Sequence, residues 1–213
     1  MELSEISLRL QAGQAKQVKE LVAQALGEGF APKDILNEGL LAGMDAVGEK
    51  FKKLEIFVPE VMVAARAMNM GISVLKPHLA EENVSRGRVV IGTVSGDLHD
   101  IGKNLVKAMM EGKGLEVVDL GIDVPAGTFV SEAIARDCDV ICCSALLTTT
   151  MDVMAEVVRE AEAAGIRKKV KIMIGGAPVS EEFCEKIGAD AYTPDAATAA
   201  EVAAAFCQNK NLR

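Results

Sequence analysis

This chain has only two histidines, His78 and His99, and the second has the more informative neighbours. It lies in Ser95-Gly96-Asp97-Leu98-His99-Asp100-Ile101-Gly102-Lys103-Asn104, with a carboxylate two residues before it and a glycine three after. Asp97 at that distance can accept an imidazole N–H and fix the ring's tautomer and orientation, as carboxylates behind metal-bound histidines do. Gly102 permits a close approach to the backbone. One histidine without paired thiolates holds a free transition-metal ion poorly, but it suffices as the single axial ligand of a metal already held by a macrocycle. The plainer reading of His99 is a surface histidine near a helix start. Two further clusters are small or hydroxylated: Ser144-Ala145-Leu146-Leu147-Thr148-Thr149-Thr150, and Ile174-Gly175-Gly176-Ala177. The glycine pair can admit a planar or bulky group, or be no more than a turn.

These clusters can converge only if each stands at the end of an element, and periodicity supplies such elements. From residue 2 to about 80 the apolar positions recur at helical spacing, predicting helices at 2–11, 14–26, 32–53 and 59–78. Gly27-Glu28-Gly29 ends the second, and Pro32 and Pro59 occupy first-turn positions of the third and fourth. A small antiparallel four-helix bundle is expected. The polar stretch 81–88 reads as a linker between domains at 1–86 and 87–213. Beyond it, β-rich runs at 88–94, 116–120, 139–144, 170–174 and 189–192 alternate with amphipathic segments starting near 102, 126, 150, 180 and 195. Strict alternation implies an α/β domain with a parallel sheet covered on both faces. Five strands suit the flavodoxin-like, Rossmann-like order 2-1-3-4-5, in which ligands sit beyond the carboxyl ends of strands one and three. His99 and Ser144 fall at those two ends.

Composition narrows the function classes. Half of the 213 residues are apolar and a quarter charged, enough for packed cores and against disorder. Lys plus Arg is 23 against 31 for Asp plus Glu, and a net charge of -8 disfavours nucleic acid as a partner. The longest apolar or small run, 140–147, is far short of a membrane span, and the acidic start is unlike a signal peptide, so a cytoplasmic protein with no membrane partner is expected. Five cysteines, an odd number with no C-x-x-C pair, argue against a disulfide framework, and three of them crowd one expected strand as small hydrophobes.

Taken together, the residues resemble the cobalamin-binding domain shared by methionine synthase, the cobalamin mutases and the corrinoid carriers of methyltransferase systems. That family's signature is D-x-H-x-x-G, then S-x-L, then G-G. Here it reads Asp97-Leu98-His99-Asp100-Ile101-Gly102, 41 residues to Ser144-Ala145-Leu146, and 28 more to Gly175-Gly176. The resemblance implies a cobalamin bound base-off and His-on, with His99 replacing its dimethylbenzimidazole as lower cobalt ligand and Asp97 bonded to His99. Asp100, Ile101 and Gly102 complete that motif. Ser144, Leu146, Gly175 and Gly176 would line a slot for the displaced nucleotide tail, with Thr148 beside them. Thr150 stands where the methionine synthase type has a serine, six residues after the first, and extends a His99-Asp97-Thr150 relay. Tyr192 resembles residues flanking the nucleotide or the corrin.

The helical half matches too. Glu55-Ile56-Phe57-Val58-Pro59 resembles the family's F-L-P motif with Val58 in place of leucine, which implies that Phe57 caps the upper, methyl-bearing face of the corrin. With no room for a barrel-sized catalytic domain, the chain is expected to be a carrier subunit rather than an enzyme by itself. A substrate-specific methyltransferase would load it, a second would pass the methyl to a folate, pterin or thiol, and a reductive activator is a further expected partner. Three other readings compete with this one. A cobalamin-dependent sensor or regulator has the same domain order but carries an upper-face tryptophan, and this chain has none. A detached mutase subunit would not carry a capping bundle. A cofactor-free response-regulator-like domain leaves Ser144 and Gly175-Gly176 unexplained.

Overall fold

The computed structural model describes residues 1–79 and 86–210, so most of the expected linker lies outside the described residues. The chain divides into two compact units, one of residues 1–85 with 111–114, the other of 86–110 with 115–213.

The first unit is helical: α1 (Leu3–Gln11), α2 (Ala15–Gly27), α3 (Pro32–Asp34), a π-helical segment (Ile35–Leu41), α4 (Ala42–Lys52) and α5 (Val58–Leu79). From Pro32 to Lys52 the backbone is one continuous helix, as the periodicity predicts, but the π segment inside it is not legible from spacing. It widens the turn at Ile35, Leu36, Leu40 and Leu41, all of which are buried. Pro32 occupies the first turn, where its missing N–H costs nothing. At the start of α5, Glu60 reaches back to accept the Phe57 N–H at 3.1 Å, half of a capping box. By length and composition alone α5 is long and apolar enough to cross a membrane, which the sequence reading did not anticipate. Its Val61, Ala64, Ala67, Met68 and Leu75 are buried, which is how a core helix is used.

The second unit is the expected α/β domain. Strands β1 (Arg88–Thr93), β2 (Glu116–Asp119), β3 (Val140–Ser144), β4 (Lys171–Gly175) and β5 (Ala191–Tyr192) alternate with α6 (Ile101–Gly112), α7 (Ala126–Ala135), α8 (Asp152–Ala163) and α9 (Glu181–Ile187). A 3-10 turn (Thr148–Thr150) precedes α8, and α10 (Ala196–Lys210) follows β5. The sheet order is β2-β1-β3-β4-β5 with every pairing parallel. β1 and β3 are almost wholly buried, as central strands covered on both faces must be. Cys143 belongs to the core cluster of Ile141, Ile172 and Ile174, and Cys142 beside it is buried too, so the crowded thiols do behave as small hydrophobes.

Register is what matters for function. Thr93 of β1 pairs with Ser144 of β3, and Ser144 pairs with Gly175 of β4. Three residues far apart in sequence thus form one row at the carboxyl edge of the sheet.

Candidate functional site

Asp97 is the hub of this edge. Its side chain is fully buried, and its carboxylate oxygens make five polar contacts within hydrogen-bond distance. Oδ1 accepts from the His99 backbone N–H at 3.1 Å and faces the ring Nδ1 at 2.9 Å. Oδ2 accepts from the backbone N–H groups of Leu146 at 2.7 Å and Leu147 at 3.1 Å, and from the Thr150 hydroxyl at 3.2 Å. Burial by itself would raise the pKa of this carboxyl. The bonds from Leu146, His99 and Leu147 outweigh it and hold the group well below the usual carboxylate range. With Nδ1 committed to an anion, Nε2 is the nitrogen left to ligate, on a side chain that is 54% exposed. Thr150, nearly buried, also lies 2.9 Å from the Leu147 carbonyl, so its single proton serves one acceptor at a time. His99, Asp97 and Thr150 therefore come together as the sequence predicts.

The residues around this hub leave room. A side chain built at Gly102 would touch nothing, and one at Gly175 would only graze the Thr193 carbonyl at 4.0 Å. Gly176 is different: at a φ of 135° a β-carbon would stand 1.8 Å from the Ala145 carbonyl oxygen, so backbone packing alone already requires glycine there. Leu98, Ile101, Leu146 and Leu147 are large apolar side chains left exposed around His99. A buried anion behind an exposed imidazole, backbone with open space above it and an apolar surround suit a large planar metal macrocycle better than a free ion.

The B12 binding domain is the description of both families that match, one over residues 87–204 and the other over residues 3–76. The chain belongs to the B12-binding family. Among the relatives of this B12-binding chain, a trimethylamine corrinoid protein from Methanosarcina mazei is 46% identical over 176 residues, 81% of this chain and 82% of that protein. A corrinoid protein from Desulfitobacterium hafniense is 38% identical over 205 residues, 94% of this chain and 95% of the other. Of solved structures, the methanol:cobalamin methyltransferase complex of Methanosarcina barkeri matches at a TM-score of 0.87 and 33% identity, over 95% of this chain and 78% of that one. A cobalamin-binding protein from Desulfitobacterium hafniense matches at 0.80 and 31%, over 96% and 98%.

Asp100 is exposed just before α6, and its Oδ2 accepts from the Asn104 amide at 3.0 Å. Ile101 and Thr148 are exposed, and Ser144 is half-buried at the end of β3. Tyr192 is partly buried and packs against the core of the sheet unit. Phe57, in the helical unit, is 62% exposed, which sets aside a role in the bundle core.

Three positions escaped the sequence reading. The buried Thr93 hydroxyl donates to the His99 carbonyl at 2.8 Å. Lys103, 2% exposed, bonds Asp119 at 2.7 Å and the Asn104 side chain at 2.8 Å. Burial raises the Asp119 carboxyl, but Lys103, the Gly121 N–H and Lys107 outweigh it and lower the pKa. A lysine in the first turn of a helix opposes the macrodipole, and that was the available signal that it needs an anion. Asp123 accepts from the Gly96 N–H at 2.7 Å and the Ser95 hydroxyl at 3.0 Å, which lowers its pKa. Nothing in its spacing pointed to it.

Proposed function

We propose that this chain is a methyl-carrying corrinoid protein of a methyltransferase system. The reading rests on one observation: a fully buried, ionised Asp97 holds the Nδ1 side of an exposed His99 and leaves Nε2 for a metal. When bound, a corrinoid supplies a cobalt centre able to take a methyl group from one molecule and give it to another. His99 would ligate that cobalt from below in the base-off form. Asp97 fixes the imidazole's orientation, and Thr150 lends its hydroxyl to the same carboxylate. Asp100, Ile101 and Gly102 would border the macrocycle. Ser144, Leu146, Thr148, Gly175, Gly176 and Tyr192 would take the nucleotide tail, and the exposed Phe57 of the cap, residues 1–86, would shield the opposite face from water.

The partners that go with this reading are a substrate-specific methyltransferase, a second methyltransferase with a folate, pterin or thiol acceptor, and a reductive activator, all in the cytoplasm. The relatives' names make trimethylamine, dimethylamine and methanol the donors to screen first. The test is reconstitution with hydroxocobalamin, for native protein and His99→Ala, followed by electron spin resonance of the Co(II) form. Nitrogen splitting from the protein in native chain, absent from His99→Ala while cofactor is retained, is the expected result. Failure of the native chain to take up the corrinoid sinks the proposal.

A further inference from the structure

Asp123, in the loop between β2 and α7, makes three hydrogen bonds to the three residues at 95–97 that lead into the His99 segment. Its Oδ1 accepts from the Gly96 N–H at 2.7 Å and the Ser95 hydroxyl at 3.0 Å, and its own N–H donates to the Asp97 carbonyl at 3.1 Å. Asp123 has a φ of 54°, in the left-handed region that L side chains avoid and aspartate tolerates better than most. A conformation of that kind persists only where surrounding contacts determine it. Gly96 opposite is also left-handed, at 82°, and a β-carbon there would meet the Thr150 methyl at 3.3 Å. The turn is thus held between Asp123 and Thr150. Strand pairing ends just before it, at Val94, which donates to the Ser144 carbonyl and bridges Val124. Past that point the turn is held on the β3 side by the Asp97 carboxylate's bonds to Leu146, Leu147 and Thr150, from β1 by the Asp97 N–H to Val94 carbonyl and Thr93 hydroxyl to His99 carbonyl bonds, and on the β2 side by Asp123.

We propose that Asp123 is a positioning residue for His99, setting the place of the Ser95-Gly96-Asp97 turn and so the point in space at which Nε2 is presented. Asp97 governs how the ring is rotated and ties its backbone to the loop after β3; Asp123 fixes that backbone from the loop after β2. The proposal rests on the reading of His99 as a cobalt ligand given above, and the experiment separates the two.

Three full-length variants are compared with native protein. Asp123→Ala removes the carboxylate and keeps the unfavourable φ; Asp123→Gly removes the carboxylate and relieves the backbone, so it folds even if the alanine variant does not. Asp123→Asn keeps an acceptor oxygen and tolerates the left-handed conformation. Without corrinoid, amide exchange at Gly96 reports the clamp itself. With aquocobinamide, which has neither benzimidazole nor nucleotide tail, any nitrogen splitting in the Co(II) spin resonance comes from the protein. Native protein and Asp123→Asn are expected to protect Gly96 and ligate the cobalt. Asp123→Ala and Asp123→Gly are expected to lose that protection and bind cobinamide about tenfold more weakly, the scale at which partners of metal ligands act. Loss of Gly96 protection with unchanged cobinamide affinity and splitting overturns the positioning role alone. An Asp123→Asn variant that behaves like Asp123→Ala overturns the hydrogen-bond clamp. Native protein without nitrogen on the cobalt removes the proposal together with the reading it rests on.

Discussion

At the scale of single residues, Asp97 carries more than its partnership with His99. One carboxylate oxygen orients the imidazole, and the other gathers the loop after β3 through Leu146, Leu147 and Thr150. Asparagine offers one acceptor and one NH2 group, so it leaves buried donors facing a donor on one side. Asp97→Asn is therefore expected to cost about 2–3 kcal/mol in urea unfolding, beyond any effect on ligation. Because the folded-state pKa of Asp97 is depressed, its contribution is complete above the unfolded value near pH ~4 and is lost as pH falls through the folded value. Stability of the native chain should drop more steeply below that pH than stability of the variant. The thiols shift the other way: burial pushes Cys138 up to about 11 and raises Cys143 further. A thiol reagent at neutral pH should react slowly with the folded protein and rapidly with all five cysteines after denaturation, whereas fast labelling of Cys142 or Cys143 in folded protein would show that β3 opens.

Elements position these residues, and their joints are where sequence reading succeeded and failed. Helix and strand locations were legible because apolar periodicity is written along each element, from the bundle through the alternating half. The strand-end places of Ser144 and Gly175 were legible because each motif follows a β-rich run. Thr93, Lys103 and Asp123 were not, since their meaning depends on partners across strands that no local pattern names. Lys103 anchors the start of α6 to the end of β2 through Asp119. Removing the anion strands a buried ammonium, so Asp119→Ala should destabilise by about 3 kcal/mol against about 1 kcal/mol for Lys103→Met, and the double variant should recover part of the loss. Additive costs in urea titrations would mean the pair is not coupled. In the loop before α5, Leu54 is 75% exposed with a φ of 59°. Leu54→Gly is expected to stabilise the helical unit by about 0.5–1 kcal/mol, read as a raised melting temperature; a lowered one would show that Leu54 makes contacts worth its strain.

At the scale of the whole molecule, two units with separate cores need not unfold as one. The residues proposed to hold the corrinoid, apart from Phe57, belong to the sheet unit. Hydroxocobalamin at a hundred times its Kd should stabilise that unit by about 2.7 kcal/mol, visible in calorimetry as movement of its transition. Movement of the helical unit's transition alone would contradict the placement of the site. The change from a helical half to an alternating half was readable from the period, whereas the grouping of 111–114 with the helical unit was not, because the pattern of α6 runs on into it as far as Gly112. The row of Thr93, Ser144 and Gly175 has an engineering consequence. Because it lies along one edge of a parallel sheet, the turns that feed the strands from the opposite edge carry none of the residues proposed to hold the corrinoid. A peptide tag spliced between the exposed Lys168 and Lys169, ahead of β4, should leave corrinoid uptake intact, whereas one extra residue inside β3 would throw Ser144 out of line with both neighbours. The fold is in that sense a chassis with one working end, open to grafting at the other.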